Sequence, residues 1–148
     1  VGAVNEQPLF DAVGGHDTFA RLVERFYEQV ATDPLLRPMY PEDLTDSADH
    51  MTWFLEQYWG GPTTYSQRRG HPALRMRHAP FRVDSQARDH WLAHMRVALD
   101  ELALAPEHDA ALWEHLERTA NFLRNTADPA APGTVHVAQL GGSVEAQS

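Results

Sequence analysis

The chain has 148 residues, the length of one ordinary domain, and its 43% hydrophobic, 9% aromatic and 22% charged residues are a globular composition. Twelve basic against 21 acidic residues leave a formal charge of −9 with His neutral, a field that repels phosphate backbones and anionic lipid and points away from nucleic acid and membrane as partners. There is no Cys, which excludes disulfides, Cys-ligated zinc, iron–sulfur clusters and a covalently attached c-type haem; a metal here must be held by His, carboxylate or water.

Folding at this length removes roughly 70% of the unfolded chain's surface, enough for a core that encloses a small cofactor. No apolar run approaches the roughly 20 residues of a membrane span. The stretch Val1–Pro8 lacks the charged and apolar regions of a signal peptide, so the expected location is the cytoplasm.

In chain order, Phe19, Leu22, Val23, Phe26 and Val30 recur at helical spacing after Gly14-Gly15 and predict an amphipathic helix over about 16–32. Asp33-Pro34 opens a short helical turn, and Pro38 and Pro41 leave Met39-Tyr40 in a tight corner. Thr45 or Asp46 is expected to cap the next helix, which places Met51, Phe54, Leu55 and Tyr58 on one face and ends at Gly60-Gly61-Pro62. A polar loop is expected from Thr63 to Pro72, then a brief helix that must stop before Pro80. Asp84 caps a fifth segment with Ala87, Trp91, Met95, Ala98 and Leu102 along one stripe; Pro106 opens a sixth, with Leu112, Trp113, Leu116, Ala120 and Leu123 apolar. With no alternating strand pattern, the fold class is all-α, four substantial helices and two short ones. The expected organisation is a flexible leader over 1–7, one domain over 8–127 and a flexible tail over 128–148, rich in Ala, Gly, Pro and Ser.

Nine His invite a metal reading. His90 and His94, four apart, present two imidazoles on one helix face, but the segment HWLAH lacks the Glu of a zinc-protease helix, and solvated surface histidines are the expectation. His108 and His115 suit a charged helix face among Glu107, Asp109 and Glu114; a metal hydrolase or interaction module built on His90, His94 and His115 is the reading from another class. His78 differs. It ends a short helix broken by Pro80, with Leu74, Met76 and Phe81 as an apolar lining and Arg75 and Arg77 within one turn. A helix break leaves carbonyls free to fix an imidazole's tautomer, so His78 is either a capping residue or a ligand. Tyr27, Tyr40 and Trp91 each join an apolar body to one donor, which when buried bonds either a core carbonyl or something held in a pocket.

The runs Arg25-Phe26-Tyr27, Tyr40-Pro41-Glu42-Asp43, Phe54-Leu55-Glu56-Gln57-Tyr58-Trp59-Gly60-Gly61-Pro62, Arg69-Gly70-His71-Pro72, Leu74-Arg75-Met76-Arg77-His78-Ala79-Pro80-Phe81 and Asp89-His90-Trp91-Leu92 together resemble the truncated haemoglobins of group II, the O type, over about residues 8–126. The resemblance implies a two-over-two α-helical sandwich around one haem b, the helix of 16–32 pairing with that of 46–58 and the fifth segment with the sixth. It also implies His78 as the proximal iron ligand and Tyr27, Tyr40 and Trp91 as distal donors. Ser47 stands where other globins place a distal His, with Met51 one turn on. Met51, Phe54, Leu74 and Phe81 are the expected apolar wall, and Tyr65, Arg75, Arg77 and His50 the candidates for the haem propionates. The function implied is reversible binding of O2, and also CO and NO, with slow O2 release; the alternative is an enzyme with peroxidase-like or NO-dioxygenase activity. A reductase and a homo-oligomeric state are the further partners expected.

Overall fold

The structure is a computed structural model in which residues 7–128 are described, and among them every regular element is helical. The elements are α1 (Leu9–Ala12), α2 (His16–Val30), a 3-10 turn (Arg37–Met39), α3 (Thr45–Tyr58), α4 (Thr64–Arg69), α5 (Leu74–His78), α6 (Ser85–Leu102) and α7 (Pro106–Leu123). Helix α2 packs on both α3 and α6, and α6 on α7, so the α2–α3 pair lies against the α6–α7 pair as the helical sandwich requires. None of these helices is long and apolar enough to cross a membrane. The expected leader, apart from Gln7, and the expected tail, apart from Asp128, lie outside the described residues.

The core follows from the α2 stripe. Phe19, Leu22, Val23, Phe26 and Val30 are fully buried and meet Met95 and Leu99 of α6. This stripe supplies five of the seven largest fully buried side chains among the described residues, each worth about 1.5–3 kcal/mol. Asp84 caps α6 as expected, its Oδ1 accepting from the Ala87 amide at 3.0 Å.

Three local expectations are corrected. Neither Thr45 nor Asp46 caps α3; Asp43, two residues before Thr45, accepts from the Thr45 amide through Oδ1 at 2.9 Å. The stretch expected as a polar loop contains α4, which the side chain of Gln57 holds from outside: its amide bonds the hydroxyl and the backbone N–H of Ser66, while Tyr65 is buried beneath. A short helix α1 also precedes the first periodic segment. It docks through the Phe10 amide on the Trp59 carbonyl at 3.0 Å and through the Phe10 ring, which stacks on Phe19. Gly61 allows that docking, because a Cβ there would stand 2.7 Å from the Phe10 ring.

Candidate functional site

Between the two helix pairs lies a cavity of about 300 Å³ that draws on nearly every element. Tyr27 reaches it from α2, Leu36, Met39 and Tyr40 from the proline-bounded corner, and Ser47, His50, Met51 and Phe54 from α3. Tyr65 and Arg69 of α4, Leu74 and His78 of α5, and Phe81 and Val83 beyond it line it too, while α6 contributes Ala87, Arg88, Trp91 and Met95 and α7 the Leu116–Leu123 face. Of the expected residues, His78, Tyr27, Tyr40, Trp91, Ser47, His50, Met51, Phe54, Tyr65, Leu74 and Phe81 are brought together here.

Three neighbours of His78 are not. Leu74 and His78, four apart on α5, face the cavity, which turns the intervening residues outward. Met76, expected in the apolar lining, is 71% exposed. Arg75 gives its Nε–H to the Phe122 carbonyl at 3.1 Å and lies over the Phe122 ring; Arg77 bonds the carbonyls of Pro72 and Arg69 at 2.8 and 3.1 Å. The arginines on the cavity wall are instead Arg69 and Arg88.

His78 is fixed at both ends. Its Nδ1 lies 2.8 Å from the Leu74 carbonyl, which can only accept, so Nδ1 carries the proton and Nε2 keeps its lone pair. Behind it, Asn125 gives its side-chain amide to the carbonyls of His78 and Phe81 at 3.2 and 2.9 Å and accepts the Val83 amide at 2.9 Å. One side chain thus clasps the whole turn that follows the histidine.

The polar aromatics form a second group. The Tyr27 and Tyr40 rings meet edge to face at 5.6 Å, and Phe26 supports both Tyr27 and Trp91 edge-on. Burial pushes the Tyr40 phenol up to about 12, against the hydrogen bonds that Tyr27 and Trp91 direct at it. Burial raises the Tyr27 phenol further, with Tyr40 adding to the effect, so both remain protonated donors at neutral pH. Among the described residues the only carbonyl within reach of the Tyr27 hydroxyl is that of Ser47, at 3.5 Å, the outer limit of a hydrogen bond.

At the rim, Arg69 Nη1 sits 3.2 Å from His50 Nε2, and the buried Arg69 Nε has no partner among the described residues. Burial, and then the charge of Arg69, holds His50 below its ordinary value, with Asp46 and Asp49 opposing, so His50 accepts from Arg69 as a neutral ring.

The histidine pair of α6 is not simply solvated. His90 Nδ1 and His94 Nε2 converge on Asp33 Oδ2 at 2.9 and 2.6 Å, and the buried Asp33 also accepts the Leu35 and Leu36 amides through Oδ1. Among the described residues no group of three or more His, Asp, Glu or Cys is arranged for a metal ion. His115, expected on a charged face, is buried and stacks on the Tyr58 ring at 3.7 Å.

A cavity walled by aliphatic and aromatic side chains, with one imidazole lone pair, three neutral donors and an unpartnered guanidinium N–H at its edge, fits a flat apolar metallo-cofactor with anionic substituents. The comparisons agree. Residues 8–125 match the family model described as bacterial-like globin. The chain is 41% identical over 119 residues to the group 2 truncated haemoglobin YjbI of Bacillus subtilis (strain 168), covering 80% of this chain and 89% of that one. Among solved structures it resembles a thermostable haemoglobin from the actinobacterium Thermobifida fusca, at 54% identity and a TM-score of 0.79 over 80% of this chain and 98% of the other. A second is described as a truncated oxygen-avid haemoglobin from Bacillus subtilis, at 41% identity and a TM-score of 0.76 over 80% of this chain and 100% of the other. The chain therefore belongs to the bacterial-like globins, and within them to the group II truncated haemoglobins.

Proposed function

We propose that the cavity takes one haem b, with His78 Nε2 on the iron, and that the protein binds O2 there and releases it slowly. The observation that carries this reading is the 2.8 Å approach of His78 Nδ1 to the Leu74 carbonyl: with Nδ1 spent there, the remaining lone pair belongs to a residue lining an apolar cavity. Haem held by one neutral imidazole supplies a vacant coordination position for O2, CO or NO. Arg69 and Arg88, with Tyr65 and His50 near them, are the groups suited to the propionates, because both guanidinium carriers stand on the cavity wall.

The residues of the chain then decide what happens to the gas. Tyr27, Tyr40 and Trp91 offer two phenol protons and one indole proton to a largely apolar cavity, where fixed donors stabilise negative charge on a ligand's outer atom. At about 1–1.5 kcal/mol per bond, two such donors slow O2 release by about 30- to 150-fold relative to none. The likeness to the oxygen-avid relative supports the same direction.

The test is the visible spectrum of the purified chain with added haem, oxidised, then reduced with dithionite, then under CO. A Soret band that shifts to a carbonyl ferrous form is expected. His78→Ala should lose most of the haem, and a variant that keeps the wild-type five-coordinate ferrous spectrum contradicts the ligand assignment.

A further inference from the structure

Charge is divided unevenly along this chain. Residues 57–88 contain six arginines (Arg68, Arg69, Arg75, Arg77, Arg82, Arg88) and a single carboxylate, Asp84, a formal +5; the rest of the chain carries −14, and together they make the −9 of the whole. The basic stretch is also one surface. Arg77 ties α5 to α4 through the carbonyls of Pro72 and Arg69, Arg68 lies over the Trp53 ring, and Arg75 lies over Phe122, which is itself 48% exposed. Met76, between Arg75 and Arg77 in sequence, projects from α5 at 71% exposure.

The cations of this surface are not neutralised locally. Arg82 and Arg88 pair with Asp84 and Asp89, but among the described residues no carboxylate comes within ion-pair distance of Arg68, Arg69, Arg75 or Arg77. Arg75 and Arg77 are held by backbone carbonyls, so their positions are ordered while their charge stays available. Asp46 and Asp49, on α3, act on His50 at the rim. Arg69 and Arg88 line the cavity and would serve the two propionates, whereas Arg68, Arg75 and Arg77 are not among its lining residues.

We propose that the α4–α5 face is the docking surface for an acidic electron-donor protein, with Met76 as its apolar centre and Arg68, Arg75 and Arg77 as its charged rim. This rests on the haem reading above. An apolar anchor ringed by arginine is the composition of a protein–protein interface, and a single-signed patch steers an oppositely charged partner. An extended polyanion, whether nucleic acid or a lipid surface, would also meet the strongly acidic remainder of the molecule, whereas a compact acidic protein covers only the patch, about 800 Å² a side. The position gives the partner its chemistry. Leu74 and Phe81, two and five residues from Met76, line the cavity, so a protein seated on Met76 stands one side-chain layer from it. An iron that has lost an electron holds no O2; the reduced partner gives up one electron, the ferric iron takes it up, and no bond between them is made or broken.

The experiment has two readings. Stopped-flow reduction of the haem-loaded ferric protein by a reduced, strongly acidic flavodoxin is expected to slow at least tenfold between low salt and about 0.5 M salt. At low salt it should slow about tenfold in Met76→Asp and in Arg68→Glu, while Arg21→Glu, which matches the charge change of Arg68→Glu on an exposed site of α2, leaves it within twofold. Independently, adding oxidised flavodoxin to the isotope-labelled chain should shift amides of residues 64–82. Salt-independent reduction, or equal slowing by Arg21→Glu, overturns the proposal. So does self-association of the chain that Met76→Asp abolishes, which gives the face to a second copy, or amide shifts there with phosphatidylglycerol vesicles and none with flavodoxin, which gives it to lipid. Failure of the wild type to take up haem defeats the earlier reading, and the amide map still decides the docking.

Discussion

Replacing Asp33 should destabilise the fold strongly. Its carboxylate is buried and accepts four bonds: Oδ1 takes the Leu35 and Leu36 amides at 2.8 and 3.2 Å, and Oδ2 takes His90 and His94 at 2.9 and 2.6 Å. Asp33→Ala leaves two backbone donors of a tight turn without their acceptor, about 1 kcal/mol each. The two imidazoles, partly exposed, can turn to water and lose about 0.5–1 kcal/mol each, so the total is about 3–4 kcal/mol. Asp33→Asn keeps a capping oxygen and should cost about half as much. Burial alone would raise this carboxyl, but the bonds from His94, His90 and the two amides outweigh it and hold it well below the usual carboxylate range. A depressed carboxyl contributes stability above the unfolded pKa, near 4, and loses it as pH falls further. Urea unfolding of both variants at pH 7 and at about pH 3 checks this: the gap to wild type should narrow in acid. A loss below about 1 kcal/mol at pH 7, or a gap that widens at pH 3, would refute the reasoning.

Trp91→Phe preserves the ring packing on Phe26 and removes one donor, so O2 should dissociate about 5- to 13-fold faster by flash photolysis; an unchanged rate would make the indole N–H irrelevant to the ligand. Asn125→Ala removes the clasp behind His78, three bonds of about 0.5 kcal/mol each at an exposed site, and should speed amide exchange across residues 78–84 and shift the iron–imidazole stretching band, leaving the α2 core protected. His115, pushed down to about 4 by burial and then by Arg118, is protonated in the unfolded chain before the folded one, so stability should fall by up to about 1.4 kcal/mol per pH unit from about 6.5 towards 4. His115→Phe should flatten that slope in denaturant titrations, and an unaltered slope would mean that other groups carry it.

The four long helices were legible because each buries a stripe at helical spacing, and Asp84 announced α6 because its short side chain precedes an apolar run. Helix α4 was not legible. Its six residues bury only Tyr65, and what holds it is Gln57, on a different helix. The same locality limit governs the site. Tyr27, Tyr40 and Trp91 were readable as apolar bodies carrying donors, whereas Arg69 stood in a polar stretch with nothing to separate it from Arg75 and Arg77. The two-turn phase between α4 and α5 decides which guanidinium faces the cavity, and that phase is fixed by Gly70 and by Ala73 in the left-handed conformation at φ 45°. His108 and His115, one heptad apart on α7, differ in burial because Tyr58 of α3 covers only one of them. His90 and His94 looked solvated because their partner lies 57 and 61 residues away.

The cavity also bears on how the protein is made. Phe54, Met51 and Trp91 pack against the buried cluster while turning a face to the cavity, so a molecule seated there would extend the core of this domain. A ligand that fills this space and has no affinity for the unfolded chain adds RT ln(1 + [L]/Kd) to the stability, about 4 kcal/mol at a thousandfold excess over Kd. That increment is a large share of the 5–15 kcal/mol of a typical domain. The amount of folded protein in a cell would then track the supply of cofactor as well as the rate of synthesis, and scarcity of the one would be felt as degradation of the other.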